Sequence, residues 1–253
     1  MLMKRNVLCA AMILMAGSLI AADKDDVSAA IAKLAAADSY SWTTTNANAG
    51  GGGGGGRRGG GFGGGPASGK ALRSGLMAIT MPGRGGGPGT EAYLKGTNGA
   101  FQTQDGWQSV ADALKDDGGG QFNPASFMAM RLQGTQAPAE QAKTLLAAAK
   151  SIAKINEAYA GDLTDGGAKA LLQMPGFRGG GAGAPQITVT DAKASVKFWI
   201  KDGVLAKYEI KSTGKTQFGD MDPMEVDRTT TVEIKDVGAT KIDVPDDAKK
   251  KLP

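Results

Sequence analysis

Histidine is absent from the 253 residues, and cysteine occurs once, at Cys9. A His-based triad, a His general base and a metal cage of His or Cys are therefore excluded. A single cysteine allows no internal disulfide, so packing alone must hold the chain. Aromatic residues are few, at 6%. Neither sign of charge dominates: Lys plus Arg is 29 against 25 for Asp plus Glu, a net +4. That excess is too small for a nucleic-acid footprint. Beyond the first 22 residues no run is long and apolar enough to span a bilayer. Glycine is in surplus at 40 residues, 13 of them in positions 50–65, five in 83–89 and five in 176–183. Outside those segments glycine is near its usual share of about 7%. The composition is that of a globular chain with three glycine-rich loops, whose backbone entropy is costly to freeze and whose side chains bury little.

The first 22 residues read as an address. Lys4 and Arg5 form a basic start, Val7 to Ile20 is apolar, and Ile20-Ala21-Ala22 is a small-residue cleavage site before Asp23-Lys24-Asp25-Asp26. This is the three-part pattern of a secretory signal peptide. The apolar run is about 15 residues, shorter than the about 20 a spanning helix needs. Cys9 lies inside that run and lacks the surroundings of a lipid-attachment cysteine. Residues 1–22 are thus expected to be removed near Ala22, the alternative being that they are kept as an uncleaved membrane anchor. The product is one exported domain over 23–253, periplasmic or secreted, with no disulfide.

Along that domain, Val27, Ile31 and Leu34 share one face of a helix over Asp26–Ala37, with Asp25 or Asp26 capping its first turn. Tyr40 to Thr45 has the aromatic and β-branched content of a strand. Leu72 to Met81 reads as a second strand and Thr90 to Lys95 as another. Asn98-Gly99 is a strong hairpin signal, followed by Asp105-Gly106 before Trp107. Val110 to Lys115 reads as a short helix. Asn123-Pro124 starts a second helix, with proline at the first helical position. Ala137 to Tyr159 predicts the longest helix, with Leu145, Ala148, Ile152, Ile155 and Tyr159 on one stripe. Thr164 caps a helix through Leu172, ended by Pro175-Gly176. Ile187–Thr190, Ala194–Ile200, Val204–Ile210, Thr229–Lys235 and Thr240–Val244 read as strands. For the hairpin at Lys201-Asp202-Gly203, a three-residue loop predicts Phe198 opposite Ala206 and Val196 opposite Tyr208.

Three stretches carry a resemblance: Val196 to Lys207, with its Trp199-Ile200-Lys201-Asp202-Gly203 core; Thr229 to Lys235; and Asp236-x-Gly238-x-x-x-Ile242-x-Val244-Pro245. Together they resemble the periplasmic lipoprotein-carrier superfamily, of LolA-like sorting carriers and mycobacterial LppX-like lipoproteins. The resemblance implies an α+β fold: an incomplete antiparallel β-barrel, a curved sheet whose apolar concave face is closed by a helical lid. Such a cavity holds acyl chains, because each exposed CH₂ costs about 0.8 kcal/mol in water. Candidate lining residues are Trp42, Leu76, Met77, Ile79, Met81, Phe101, Trp107, Met128, Val196, Phe198, Ile200, Tyr208 and Ile210. Met77, Met81, Met128 and Met130 would suit an adaptable wall; the plain alternative is ordinary core.

Catalysis would have to rest on carboxylates or a Ser-Lys pair. Asp116-Asp117, Asp220-Met221-Asp222 and Asp246-Asp247 read as exposed loop acids. Ser151 and Lys154 would share one side of a helix, a spacing that arises often by chance. No regular series of oxygen ligands suggests calcium. The expected function is non-enzymatic: a monomeric binder or carrier of lipid or acylated cargo, without cofactor, metal or nucleic acid. The rival is an envelope protein-interaction or stress-sensing module on the same scaffold. A third reading has the glycine-rich loops touching surface polymers.

Overall fold

The computed structural model describes residues 11–48, 66–83, 89–115, 123–173, 187–219 and 221–252. Cys9, most of the three glycine-rich segments, Asp116-Asp117, Asp220 and the helix stop at Pro175-Gly176 lie outside the described residues. In chain order the helices are α1 (Ala11–Ala36), α2 (Val110–Lys115), α3 (Pro124–Gln133), α4 (Pro138–Ala148), α5 (Asp165–Leu172) and α6 (Asp246–Lys249). The strands are β1 (Ser39–Asn48), β2 (Ala67–Leu72), β3 (Leu76–Met81), β4 (Thr90–Lys95), β5 (Asn98–Thr103), β6 (Gly106–Ser109), β7 (Ala153–Ile155), β8 (Ala158–Asp162), β9 (Ile187–Lys201), β10 (Val204–Phe218) and β11 (Met224–Lys235). Among the described residues no helix is long and apolar enough to cross a membrane.

The strands form one curved antiparallel sheet in the order β6-β5-β4-β3-β2-β1-β11-β10-β9-β8-β7. Its two edges do not pair, so the barrel is incomplete and carries helices, as expected. β1 is the hinge of the topology. It pairs with β2 on one side and with β11 on the other, joining the first and last thirds of the chain.

Several local expectations needed correction. Leu72 to Met81 is two strands, with a turn at Arg73–Gly75 between them. The β4–β5 turn is Gly96-Thr97, and Asn98 already pairs with Lys95. Gly96 takes φ +64, the first-position conformation a two-residue turn of this kind asks of glycine. The predicted long helix stops at Ala148. Past it, Ala153–Ile155 and Ala158–Asp162 form a hairpin whose second strand, β8, pairs with β9, leaving β7 at the sheet edge. Sheet pairing overrides the alanine-rich helical pattern there, and Asn156 makes the turn at φ +57. Ser151 and Lys154 therefore share no helix. Thr240–Val244 forms no ladder and runs as irregular chain after Asp236. Ile187–Thr190 and Ala194–Ile200 are one strand, broken by a bulge facing Gly214.

The β9–β10 hairpin shows how register was misread. Its loop is two residues, Asp202-Gly203, both at positive φ (54° and 73°). Ala206 then bulges out, because Leu205 pairs with Ile200 while Lys207 pairs with Trp199. The bulge restores the in/out alternation that a plain two-residue loop would have lost. Phe198 stands opposite Tyr208 and Val196 opposite Ile210. Lys197 faces Glu209 at 3.6 Å.

Candidate functional site

Period-2 alternation gives the sheet an apolar inner face and a polar outer one. Trp42, Met77, Ile79, Met81, Phe101, Val196, Phe198, Tyr208 and Ile210 are buried in one contiguous cluster on the inner face, and Ile200 and Met128 pack against it. Leu76 and Trp107 do not join them. Leu76 neighbours Met77 on the same strand and so points the opposite way. Trp107 stacks on Tyr93 of the outer face, ring centroids 5.5 Å apart.

The inner face is roofed from two parts of the chain, α1 and the α3–α4 region. Helix α1 lies over β9 and β10 and packs on α4. Its apolar stripe is Val27, Ala30, Ile31 and Leu34, each no more than 4% exposed. Asp25 and Asp26 are not its caps, because the helix begins upstream. Asp26 instead accepts the Tyr159 hydroxyl at 3.0 Å, and Asp23 accepts the Lys154 backbone N–H at 2.8 Å. Helix α4 is tied to the sheet by two further contacts. The Tyr208 hydroxyl donates to Gln141 Oε1 at 2.5 Å, and the Ala139 N–H donates to the Tyr40 hydroxyl at 3.4 Å. Burial pushes both phenols above their ordinary range, so both stay protonated and available as hydrogen-bond partners. Helix α3 is capped by Asn123, whose side chain accepts from Ala125 and Ser126, and it sends Leu132 and Ala129 into the cluster.

Toward the free ends of β1, β10 and β11 the inner face turns polar. Thr230 donates to Asn46 Oδ1 at 2.7 Å, Ser212 is buried, and Arg228 stands between them opposite Ser212 and Asn48. Arg228 Nε is buried with no hydrogen-bond partner. The sequence reading began this strand at Thr229, one residue too late to place Arg228. Gln141 and Asp26 were likewise missed, because a helix stripe shows which residues are apolar but not which polar tip reaches across.

A separate pocket of about 370 Å³ opens on the outer face. Ser41, Lys70, Glu91, Tyr93, Lys235 and Asp236 are among its lining residues, and the 236–243 segment walls it. Ser41 donates to Asp236 at 2.7 Å and Tyr93 to the Asp243 carbonyl at 3.2 Å. Polar and apolar groups line this pocket alike, and Trp42 and Ile79 contribute to its floor. Asp246 and Asp247 pair with Lys249 and Lys250 at 2.8 Å each, as surface helix pairs. Among the described residues no group of three acidic, His or Cys side chains could hold a metal ion.

The fold and its inner face define an unclosed antiparallel half-barrel with helices laid across an apolar surface. Two solved structures of mycobacterial proteins are similar to this chain. LprF from Mycobacterium bovis is 10% identical, with a TM-score of 0.44, covering 90% of this chain and 98% of that one. The lipoprotein LppX from Mycobacterium tuberculosis is also 10% identical, with a TM-score of 0.43, covering 89% and 99%. No family model and no curated protein matches the chain.

Proposed function

We propose that this protein is an exported, non-enzymatic binder or carrier of lipid or acylated cargo, taken up between the inner face of the sheet and the helices that cover it. The observation behind this reading is the division of labour in the fold. The sheet is held by its own backbone ladder, whereas α1 and α4 meet it through side-chain packing and a few single hydrogen bonds. The polar ties across that boundary include the Tyr208–Gln141, Tyr40–Ala139, Tyr159–Asp26 and Lys154–Asp23 contacts. A helix on such a surface can be replaced by an acyl chain at little backbone cost, because apolar contact is non-directional. Each CH₂ moved from water onto the face contributes about 0.8 kcal/mol. Export rests on the basic, apolar and small-residue pattern of residues 1–22, with cleavage near Ala22. The Asp23 carboxylate that receives Lys154 would then belong to the first residue of the mature chain.

The contiguity of the inner cluster favours a second reading, an envelope interaction or sensing module with an ordinary core. Native mass spectrometry of the exported protein, with titration of a fluorescent long-chain acyl probe, separates the two. Co-purifying lipid and saturable probe binding are expected; a lipid-free protein that binds no acyl probe rejects the carrier and leaves the module.

A further inference from the structure

Arg228 is half-buried on the inner face, with one of its guanidinium donors unpaired. Its Nε is buried and has no acceptor, and a buried donor left unpaired is unfavourable, more so on a charged group. The strands around it offer no counter-ion. On β1, β10 and β11 every carboxylate, namely Glu209, Glu225, Asp227 and Glu233, has the parity of the outer face, opposite to Arg228, Tyr208 and Trp42. Asn48, directly opposite Arg228, is exposed, and Asn46 Oδ1, one inner-face pair further along, already receives the Thr230 hydroxyl at 2.7 Å. The other cation on that face, Lys154, lies over the Tyr159 ring, 5.3 Å from its centroid. Arg228 also marks a boundary. Along β11 Val232 and Ile234 are buried with the apolar cluster, whereas the β1 residues beside Arg228, Asn46 and Asn48, are exposed.

A cation at the border between an apolar surface and a wetted rim matches one ligand shape, an apolar chain that ends in an anion. Resting on the carrier reading above, we infer that the cargo bears an anionic head group, carboxylate or phosphate, and that Arg228 receives it. A guanidinium suits this task because its planar fork matches both oxyanions and stays charged.

The test uses the full exported chain and three 16-carbon probes: palmitate, hexadecyl phosphate and the uncharged methyl palmitate. Palmitate or hexadecyl phosphate is expected to bind about tenfold or more tightly than methyl palmitate, the scale of a charge-assisted hydrogen bond. Which of the two binds more tightly tells a carboxylate head group from a phosphate one. Arg228→Gln should abolish the preference while leaving methyl palmitate binding unchanged, and Arg228→Lys should keep part of it. Raising the salt concentration should narrow the preference in the unmodified protein, a readout that does not depend on a variant folding. Equal binding of charged and uncharged probes, or a preference that survives in Arg228→Gln, overturns the inference while leaving the carrier reading intact. Failure of all three probes removes the carrier reading and this one with it.

Discussion

At the scale of single residues, Trp42 packs closely against the strand beside it. Gly69 sits opposite Trp42 in the β1–β2 register, and a Cβ there would lie 2.2 Å from the indole ring. Glycine is needed at this position for space. Gly69→Ala is expected to destabilise the protein by about 1–3 kcal/mol, as other overpacked cores are. In a chain of this size that lowers the melting temperature by roughly 2–4 °C per kcal/mol, readable by thermal unfolding. An unchanged melting temperature would mean that the Trp42 ring can move aside freely. The residues themselves were legible in part. Val27, Ile31 and Leu34 announced the α1 stripe by spacing alone, and Phe198 and Tyr208 announced their strands by alternation. Leu76 and Met77 were both read as lining, yet neighbours on one strand cannot share a face. Arg228 escaped notice because nothing in a lone arginine beyond a strand's apparent start says which face it joins.

At the scale of elements, the largest difference between sequence and structure is the fate of 149–159. Leu145, Ala148, Ile152, Ile155 and Tyr159 do fall on a helical stripe, but the same residues also fit a hairpin, and β9 offers Ala158–Asp162 a ladder of backbone hydrogen bonds. Long-range pairing decides between such readings, and it is invisible to local periodicity. The hairpin depends on Asn156 at φ +57, a conformation that costs most residues about 1–2 kcal/mol and asparagine less. Asn156→Ala should therefore lose about 1 kcal/mol and Asn156→Gly almost nothing. Hydrogen exchange of the β7 and β8 amides would report this directly: faster exchange in the alanine variant alone is expected, and equal exchange in both would mean the turn is held by its neighbours. Asp23 supports the same hairpin from α1 by receiving Lys154 N–H. Asp23→Ala should speed exchange at Lys154 while leaving the β10 amides as they were. The β9–β10 register shows a related limit. Asp202-Gly203 was visible as a turn, but the Ala206 bulge that sets every partner beyond it carries no composition signal.

At the scale of the whole molecule, helices and sheet are held together by phenols that must keep their protons. Tyr208 and Tyr40 have an ordinary value near 10, and burial raises both. A raised value in the folded state means the native protein binds the proton more tightly than the unfolded chain does. Stability from this source is fully present below about pH 10 and falls as the pH climbs above it, because only the unfolded chain can then ionise freely. Alkaline titration monitored by circular dichroism should thus show unfolding that begins above pH 10, with tyrosinate absorbance rising together with the loss of structure. Tyr208→Phe has a two-part outcome. It leaves Gln141 without its donor, so stability at neutral pH drops by about 1 kcal/mol, the net worth of a hydrogen bond. It also removes the largest buried phenol, so the alkaline slope becomes shallower. Gln141→Leu should produce the first effect with little change in slope, since the phenol stays buried. If Tyr208 ionised before the fold was lost, the roof over the inner face would have to be open to solvent at that point, and the seal between α4 and the sheet would be far looser than a 2.5 Å Tyr208–Gln141 contact implies.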